Sequence, residues 1–341
     1  MRRIFLIILQ ITATIGLCGC QANKAQQVSD APTTPLVWPA PPEIARLSYE
    51  RSVGRPHDVG ARISAFGRMA NWLTGASKGN EPLVRPFGLA LDEEDNLCLT
   101  DTAAHTVCFF DRTKKKWFRW DKIGKLRLLS PVAVAKRTET LYVADSGRAA
   151  VIAFNLSGKL RFQITNHLER PSGLAIAGQR LYVADAQLHR VFVYDLEGHE
   201  LSSFGRRGTG PGEFNFPTHL AADSQGWLYV TDSMNCRVQI FTPEGEFKGQ
   251  IGSMGDSPGH FSRPKGVAVD SLGHAYVVDA NFDNIQIFDR EGRLLLGLGG
   301  AGQDPGQFWL PNGIAISREN EIFVADCYNH RVQVFKYIGP S

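Results

Sequence analysis

Short apolar runs recur along most of the chain, each bounded by Gly, Pro, Asn or Asp. They are rich in Val, Ile, Tyr and Phe, residues that suit a pleated, packed surface, so they predict strands. Six of these runs end in an acid: LCLTD at Asp101, LYVAD at Asp145 and Asp185, LYVTD at Asp232, AYVVD at Asp279 and IFVAD at Asp326. The acids are spaced 44, 40, 47, 47 and 47 residues apart. A proline precedes each (Pro86, Pro131, Pro171, Pro217, Pro264, Pro311), and two residues after it stand Gly88, Ala133, Gly173, His219, Gly266 and Gly313. After a four-residue gap beyond each acid begin further β-runs: TVCFF, AVIAF, RVFVY, RVQIF, NIQIF and RVQVF. A fourth run ends most units, and in the last three joints Gly205, Gly252 and Gly299 are in phase, as are Phe214, Phe261 and Phe308.

A unit of four short antiparallel strands cannot bury both of its faces alone. Arranged radially, each sheet packs against two neighbours. The prediction is an all-β, six-bladed β-propeller of four-stranded antiparallel blades. Its repeat cores fall at about 86–110, 131–154, 171–194, 217–241, 264–288 and 311–335. The sixth unit stops near Tyr337, after its third strand. RISAFG at 62–67 matches ELSSFG at 200–205, a fourth strand, so the N-terminal strand is expected to close the last blade and remove an open edge.

The units resemble NHL repeats, which run P-x-G-hydrophobic-A, then L-Y-V-A-D, then D-x-x-x-x-R-V-x-V-F; DCYNHRVQVF at 326–335 is close to that form. The resemblance covers about residues 60–337 and implies a propeller without implying an activity. The chain's beginning reads differently. Met1-Arg2-Arg3 leads an apolar run to Gly16 that is too short to span a bilayer, and the run ends Leu17-Cys18-Gly19-Cys20. This resembles a bacterial lipobox and implies a leader over 1–19 and a lipidated Cys20, with Cys18 standing where a small residue is usual. Residues 20–48 read as a polar, Pro-rich tether, and 49–341 as the propeller. The resemblance implies a membrane partner through acyl chains on Cys20. It places the protein on the outer membrane facing the periplasm, or on another extracytoplasmic surface, because Gln21 replaces the Asp of inner-membrane retention.

The six repeated acids read as structural staples: each carboxylate accepts N–H groups of the turn and pairs with an Arg five residues on, where Arg190, Arg237 and Arg331 stand. The Tyr or Phe three before the acid is expected between blades. Function is expected where the repeat is broken, on the face of the Pro-x-Gly starts. The channel-mouth binding candidates there are Arg85, Ser172, Thr218, His219, Lys265 and Asn312. His219 replaces the small residue of its motif and reads either as a ligand or base at the channel or as a gap filler. His105, His189 and His330 are expected in solvent-facing turns.

A zinc site needs three or four ligands, and His219 stands alone, so no metal, cofactor or catalytic set is assigned. No H-E-x-x-H, G-x-S-x-G or P-loop occurs. DEED at 92–95 reads as a solvated turn, and the run Lys114 to Trp120 as an outer strand guarded by lysines. Cys98 and Cys108 lie on neighbouring strands of one hairpin, where a bridge and two free thiols are both open.

Composition changes the picture little. The chain has 341 residues, with 37 Lys+Arg against 34 Asp+Glu, a net charge of +3. That supplies no field for a phosphate backbone, so nucleic acid is not an expected partner. The sequence reading is a binding or scaffold module with a protein partner in an envelope complex. The alternatives are a lactonase- or lyase-type enzyme at His219, and a polysaccharide binder using Trp72, Trp117, Trp120 or Trp309. Oligomeric state is left open.

Overall fold

The computed structural model describes residues 35–61 and 79–339. Five of its sheets have four antiparallel strands in sequence order. Blade one holds Pro86–Leu91, Leu97–Asp101, Thr106–Asp111 and Lys116–Trp120. Blades two to five begin at Pro131, Pro171, Pro217 and Pro264 and end at Ile164, Phe204, Ile251 and Gly299. The innermost strand of each blade starts at the repeated proline, and the second ends at the repeated acid.

Alternation along the strands builds the core. In blade four, Leu228 and Val230 pack with Tyr182 and Val193 of blade three, while Tyr229 and Ile240 pack with Val267 and Val277 of blade five. Each strand thus feeds the two interfaces on either side of its blade, which is why the runs are apolar at almost every position. Among the described residues there are six such clusters, one per interface, and the sixth joins Val332 and Val334 of blade six to Leu97 and Leu99 of blade one. The repeated Tyr142, Tyr182, Tyr229, Tyr276 and Phe323 are all buried in these interfaces, as expected.

Blade six is completed from the N-terminal side, but by a different segment from the one expected. Its strands Pro311–Ile316, Glu321–Asp326 and Arg331–Tyr337 are joined by Leu47–Val53, and Val37–Trp38 pairs outside that. The expected closing segment, 62–67, lies outside the described residues. LSYERSV takes the place because its ends feed both flanking interfaces: Leu47 is buried against blade five and Val53 against blade one. Trp38 and Tyr49 set their rings edge-on to Phe335, with centroids 5.6 and 5.7 Å away. The expected tether boundary at 48 therefore falls inside a strand.

The long joints into blades four to six explain their in-phase Gly and Phe. Phe261 is fully buried, and a Cβ on Gly252, which has φ +71°, would lie 2.2 Å from its ring. The possible bridge between Cys98 and Cys108 does not form. Cys108 sits opposite Leu99, and the two sulfurs point into different interfaces, Cys98 toward blade two and Cys108 toward blade six. Burial pushes the Cys108 thiol up to about 12 and Cys98 higher still.

Candidate functional site

Each repeated acid, Asp101, Asp145, Asp185, Asp232, Asp279 and Asp326, is wholly shielded from solvent. Asp279 accepts N–H groups from Ser262 (2.7 Å), Arg263 (3.1 Å) and Asn281 (3.0 Å), tying the approach to strand one to the turn after strand two. Asp145 does the same with Leu129, Ser130 and Gly147. These groups are spent on backbone and hold the Pro-x-Gly face rigid. Arg237 and Arg331 pair with Asp232 and Asp326 at 2.9 and 2.8 Å, as expected.

Arg190 does not pair with Asp185: it is exposed, with its guanidinium over the Phe192 ring. The difference lies in the joint. Arg237 also donates to the carbonyls of Gly210 and Glu213, and Arg331 to those of Asp304 and Gln307, and the short approach to blade three has no such carbonyls. The sequence reading missed three buried amides that serve the same joints. Gln239, Gln286 and Gln333 each accept an N–H from the joint (Gly212, Gly259, Gly306) and donate to a joint carbonyl. Their signal was visible: Gln stands mid-run in RVQIF, NIQIF and RVQVF, the units with the in-phase joints.

His105 and His330 stand in exposed turns, as expected, whereas His189 is buried, and all three clasp a neighbouring blade. Each lies four after its acid in a left-handed conformation (φ 53°, 55° and 57°) and reaches the next blade. His105 and His330 meet the carbonyls of Leu129 and Val84, and His189 accepts the N–H of Phe216 at 3.1 Å. Cys236 and Asp283 make the equivalent contacts to Ser262 and Leu310. The DEED turn is also structural: Asp92 is buried and pairs with Lys136 at 2.8 Å, and Glu93 and Asp95 pair with Arg137 and Arg318. Trp117 and Trp120 are half-buried against Phe110, Phe118 and Phe154.

With the staples accounted for, the channel stands out. Its neck has a volume of about 30 Å³ and is lined by Gly88, Ala133, Gly173, Gly266 and Gly313, with His219 in the sixth place. Backbones crowd here: a Cβ on Gly313 would lie 2.3 Å from the Phe87 carbonyl. The His219 imidazole fills the room the small residues leave. Both of its nitrogens are out of reach of solvent, and the Asn312 amide lies beside the ring without a well-formed hydrogen bond to it. Burial, reinforced by the Lys265 charge, pulls its pKa down to about 3, so it is neutral near pH 7.

The residues just before that ring, Phe87, Val132, Ser172, Thr218, Lys265 and Asn312, form the mouth. Ser172 spends its hydroxyl on the carbonyls of Ala184 and Pro217. Thr218 Oγ1 and Asn312 Oδ1 are shielded and unpartnered. Burial and the nearby Arg263 lower the Lys265 ammonium to about 8. Arg85 is exposed on the rim, over the Tyr328 ring, which lies 5.5 Å from that of exposed Trp309. The candidates Thr218, His219, Lys265 and Asn312 are therefore brought together, Ser172 is committed to structure, and Arg85 belongs to an aromatic shelf. The opposite mouth is a wider bowl of about 570 Å³ whose charges include the paired Asp92, Glu93, Lys136 and Arg318. The one metal-capable trio among the described residues, Asp92, Glu93 and Glu94, lies on that side and does not include His219.

Comparison with known proteins agrees with this architecture. Residues 308–335 match the NHL repeat, and residues 160–226 and 222–275 match a 6-bladed beta-propeller family. The chain is thus a six-bladed propeller that carries an NHL repeat. Protein brain tumor of Drosophila melanogaster is 28% identical over 130 residues, which is 36% of this chain and 12% of that protein. The match therefore spans only a small part of that relative's length. Among solved structures, an auxiliary nutrient binding protein from Bacteroides thetaiotaomicron superimposes with a TM-score of 0.59 at 16% identity, covering 75% of this chain and 70% of its own. Virginiamycin B lyase from Staphylococcus aureus gives 0.56 at 13% identity, covering 75% and 96%. Likeness at these identities establishes the shared fold and nothing of the chemistry.

Proposed function

We propose that the protein is an extracytoplasmic binding module, tethered through lipid on Cys20, that engages a protein partner of an envelope complex with its Pro-x-Gly face. The observation that carries this reading is the broken symmetry of that face. The six repeated acids are spent on staples, whereas Thr218, His219 and Asn312 bring shielded, unpartnered polar atoms together at this mouth, beside the exposed shelf of Trp309, Tyr328 and Arg85. Aromatic residues and Arg are the side chains that dominate binding energy at interfaces. The fold neighbour that is a nutrient binding protein favours a binding role. No helix among the described residues is long and apolar enough to cross a membrane, so the anchor in this reading is the lipid on Cys20, which lies outside those residues.

Crosslinking in the intact envelope, followed by mass spectrometry, tests the reading. Crosslinks to a partner should map to the Pro-x-Gly face and be lost with W309A/Y328A. Crosslinks confined to the opposite bowl overturn it. The mass of the mature chain tests the anchor, since an unlipidated Cys20 removes it.

A lyase-type enzyme is the second reading, favoured by the neutral, buried imidazole of His219 at the channel. Stoichiometric metal in the purified protein that is lost in H219A would select it over the binding reading. A polysaccharide ligand draws on the same shelf through Trp309, because Trp117 and Trp120 are packed into blade one.

A further inference from the structure

We propose that the channel mouth on the Pro-x-Gly face binds a small anionic group, the terminal carboxylate or phosphate of a ligand, through Lys265, Thr218 and His219, with Asn312 positioning the imidazole. The proposal rests on reading that mouth as the binding face and names the chemistry it takes.

Charge comes first. Lys265 is largely withdrawn from solvent and has no ion pair among the described residues. The carboxylate near it, Asp279, is committed to the N–H groups of Ser262, Arg263 and Asn281. The cations acting on Lys265 are Arg263 and Arg170, both exposed at the rim. A withdrawn ammonium flanked by guanidiniums costs free energy that an arriving anion relieves.

Hydrogen bonding points the same way. Neutral His219 offers one N–H and Thr218 one O–H, while the Asn312 amide stands beside the imidazole and can orient it. A free hydroxyl and imidazole N–H beside an uncompensated cation suit a carboxylate or phosphate oxygen, and they fit an apolar or cationic group poorly.

Shape fixes how much of the ligand enters. The neck of about 30 Å³ admits only an oxygen or two. The mouth is polar over blades four to six and apolar at Phe87 and Val132, and the Phe87 ring lies 6.4 Å from that of His219. The ligand's charged end therefore lies on the polar arc, and its body leaves over the apolar one.

The test is isothermal titration calorimetry of the full chain in detergent micelles, with acetate, inorganic phosphate and acetamide as probes. Acetamide has acetate's shape without its charge. At least one anion should bind and acetamide should not, and the ratio of acetate to phosphate affinity identifies the head group. K265M should weaken anion binding roughly tenfold or more, and T218V several-fold, with the thermal midpoint no lower than that of the wild type. Affinity should also fall between pH 7 and 10 as Lys265 loses its proton. Equal binding of acetamide and acetate overturns the proposal, as does undiminished anion binding by a folded K265M, or no binding of either anion. If those failures come while crosslinks still map to the Pro-x-Gly face, the binding face stands and the anion assignment falls.

Discussion

His219 sits where five other innermost strands carry Gly or Ala, and the cost of that choice is measurable. Its folded pKa of about 3 lies below its unfolded value, so acid protonates the unfolded chain first. The neutral imidazole's contribution is fully present above about pH 6.5 and is lost as pH falls from there toward 3. Between pH 7 and 5 the wild type should lose about 2 kcal/mol more stability than H219L. Urea unfolding at the two pH values reads this directly, and equal pH slopes would show that the ring is solvated in the fold. At pH 7, H219L should be as stable as the wild type or slightly more so, because an apolar side chain of similar size leaves no unpaired nitrogen. That this position is anomalous was legible in the sequence, since a six-fold repeat exposes its own exception. What surrounds it was not, because Thr218, Lys265 and Asn312 come from three different blades and meet only once those blades pack side by side.

At the scale of strands and joints, the repeat encodes more than the strand pattern. The long joints into blades four to six are clamped by a buried glutamine, which donates to one joint carbonyl and accepts one joint N–H. Q333L should cost about 2–3 kcal/mol, since it leaves the Gly306 N–H and the Gln307 carbonyl without that partner. R190A should change stability by less than about 0.5 kcal/mol, because the guanidinium is exposed and bears on one ring face. Thermal or urea unfolding of the two variants checks the contrast, and a small loss in Q333L with a large one in R190A would reverse the assignment. Strands two and three and their acids could be read from the sequence because burial on both sides demands apolar residues at nearly every position. Fourth strands could not be placed so firmly. KWFRW, LRFQI, ELSSF and FKGQI share little, since the outer strand is half in solvent and pairs chiefly through backbone. RISAFG resembles one of them in letters, whereas LSYERSV pairs with the last strand and feeds both adjoining interfaces.

For the molecule as a whole, a ring of wedges is only as stable as its seam. Each interface is a separate cluster, and the seam between blades six and one depends on Val53 and Leu83 as well as on the strands themselves. Without Leu47–Val53, strand Arg331–Tyr337 becomes an open edge of unpaired backbone groups bordered by apolar surface, which invites association. V53D places an unpaired charge in the seam cluster, and E50K alters an exposed position on the same strand. V53D should lower stability by several kcal/mol, on the order of a buried charge without a partner, and should elute from size exclusion as oligomers. E50K should melt and elute like the wild type. If V53D remained monomeric with an unchanged melting curve, residues 47–53 would not be the segment that closes the ring. The same seam sets the geometry of the Pro-x-Gly mouth, because Phe87 of blade one faces His219 of blade four across the axis. A loosened seam should therefore weaken anion binding in V53D even though no residue of the mouth is altered.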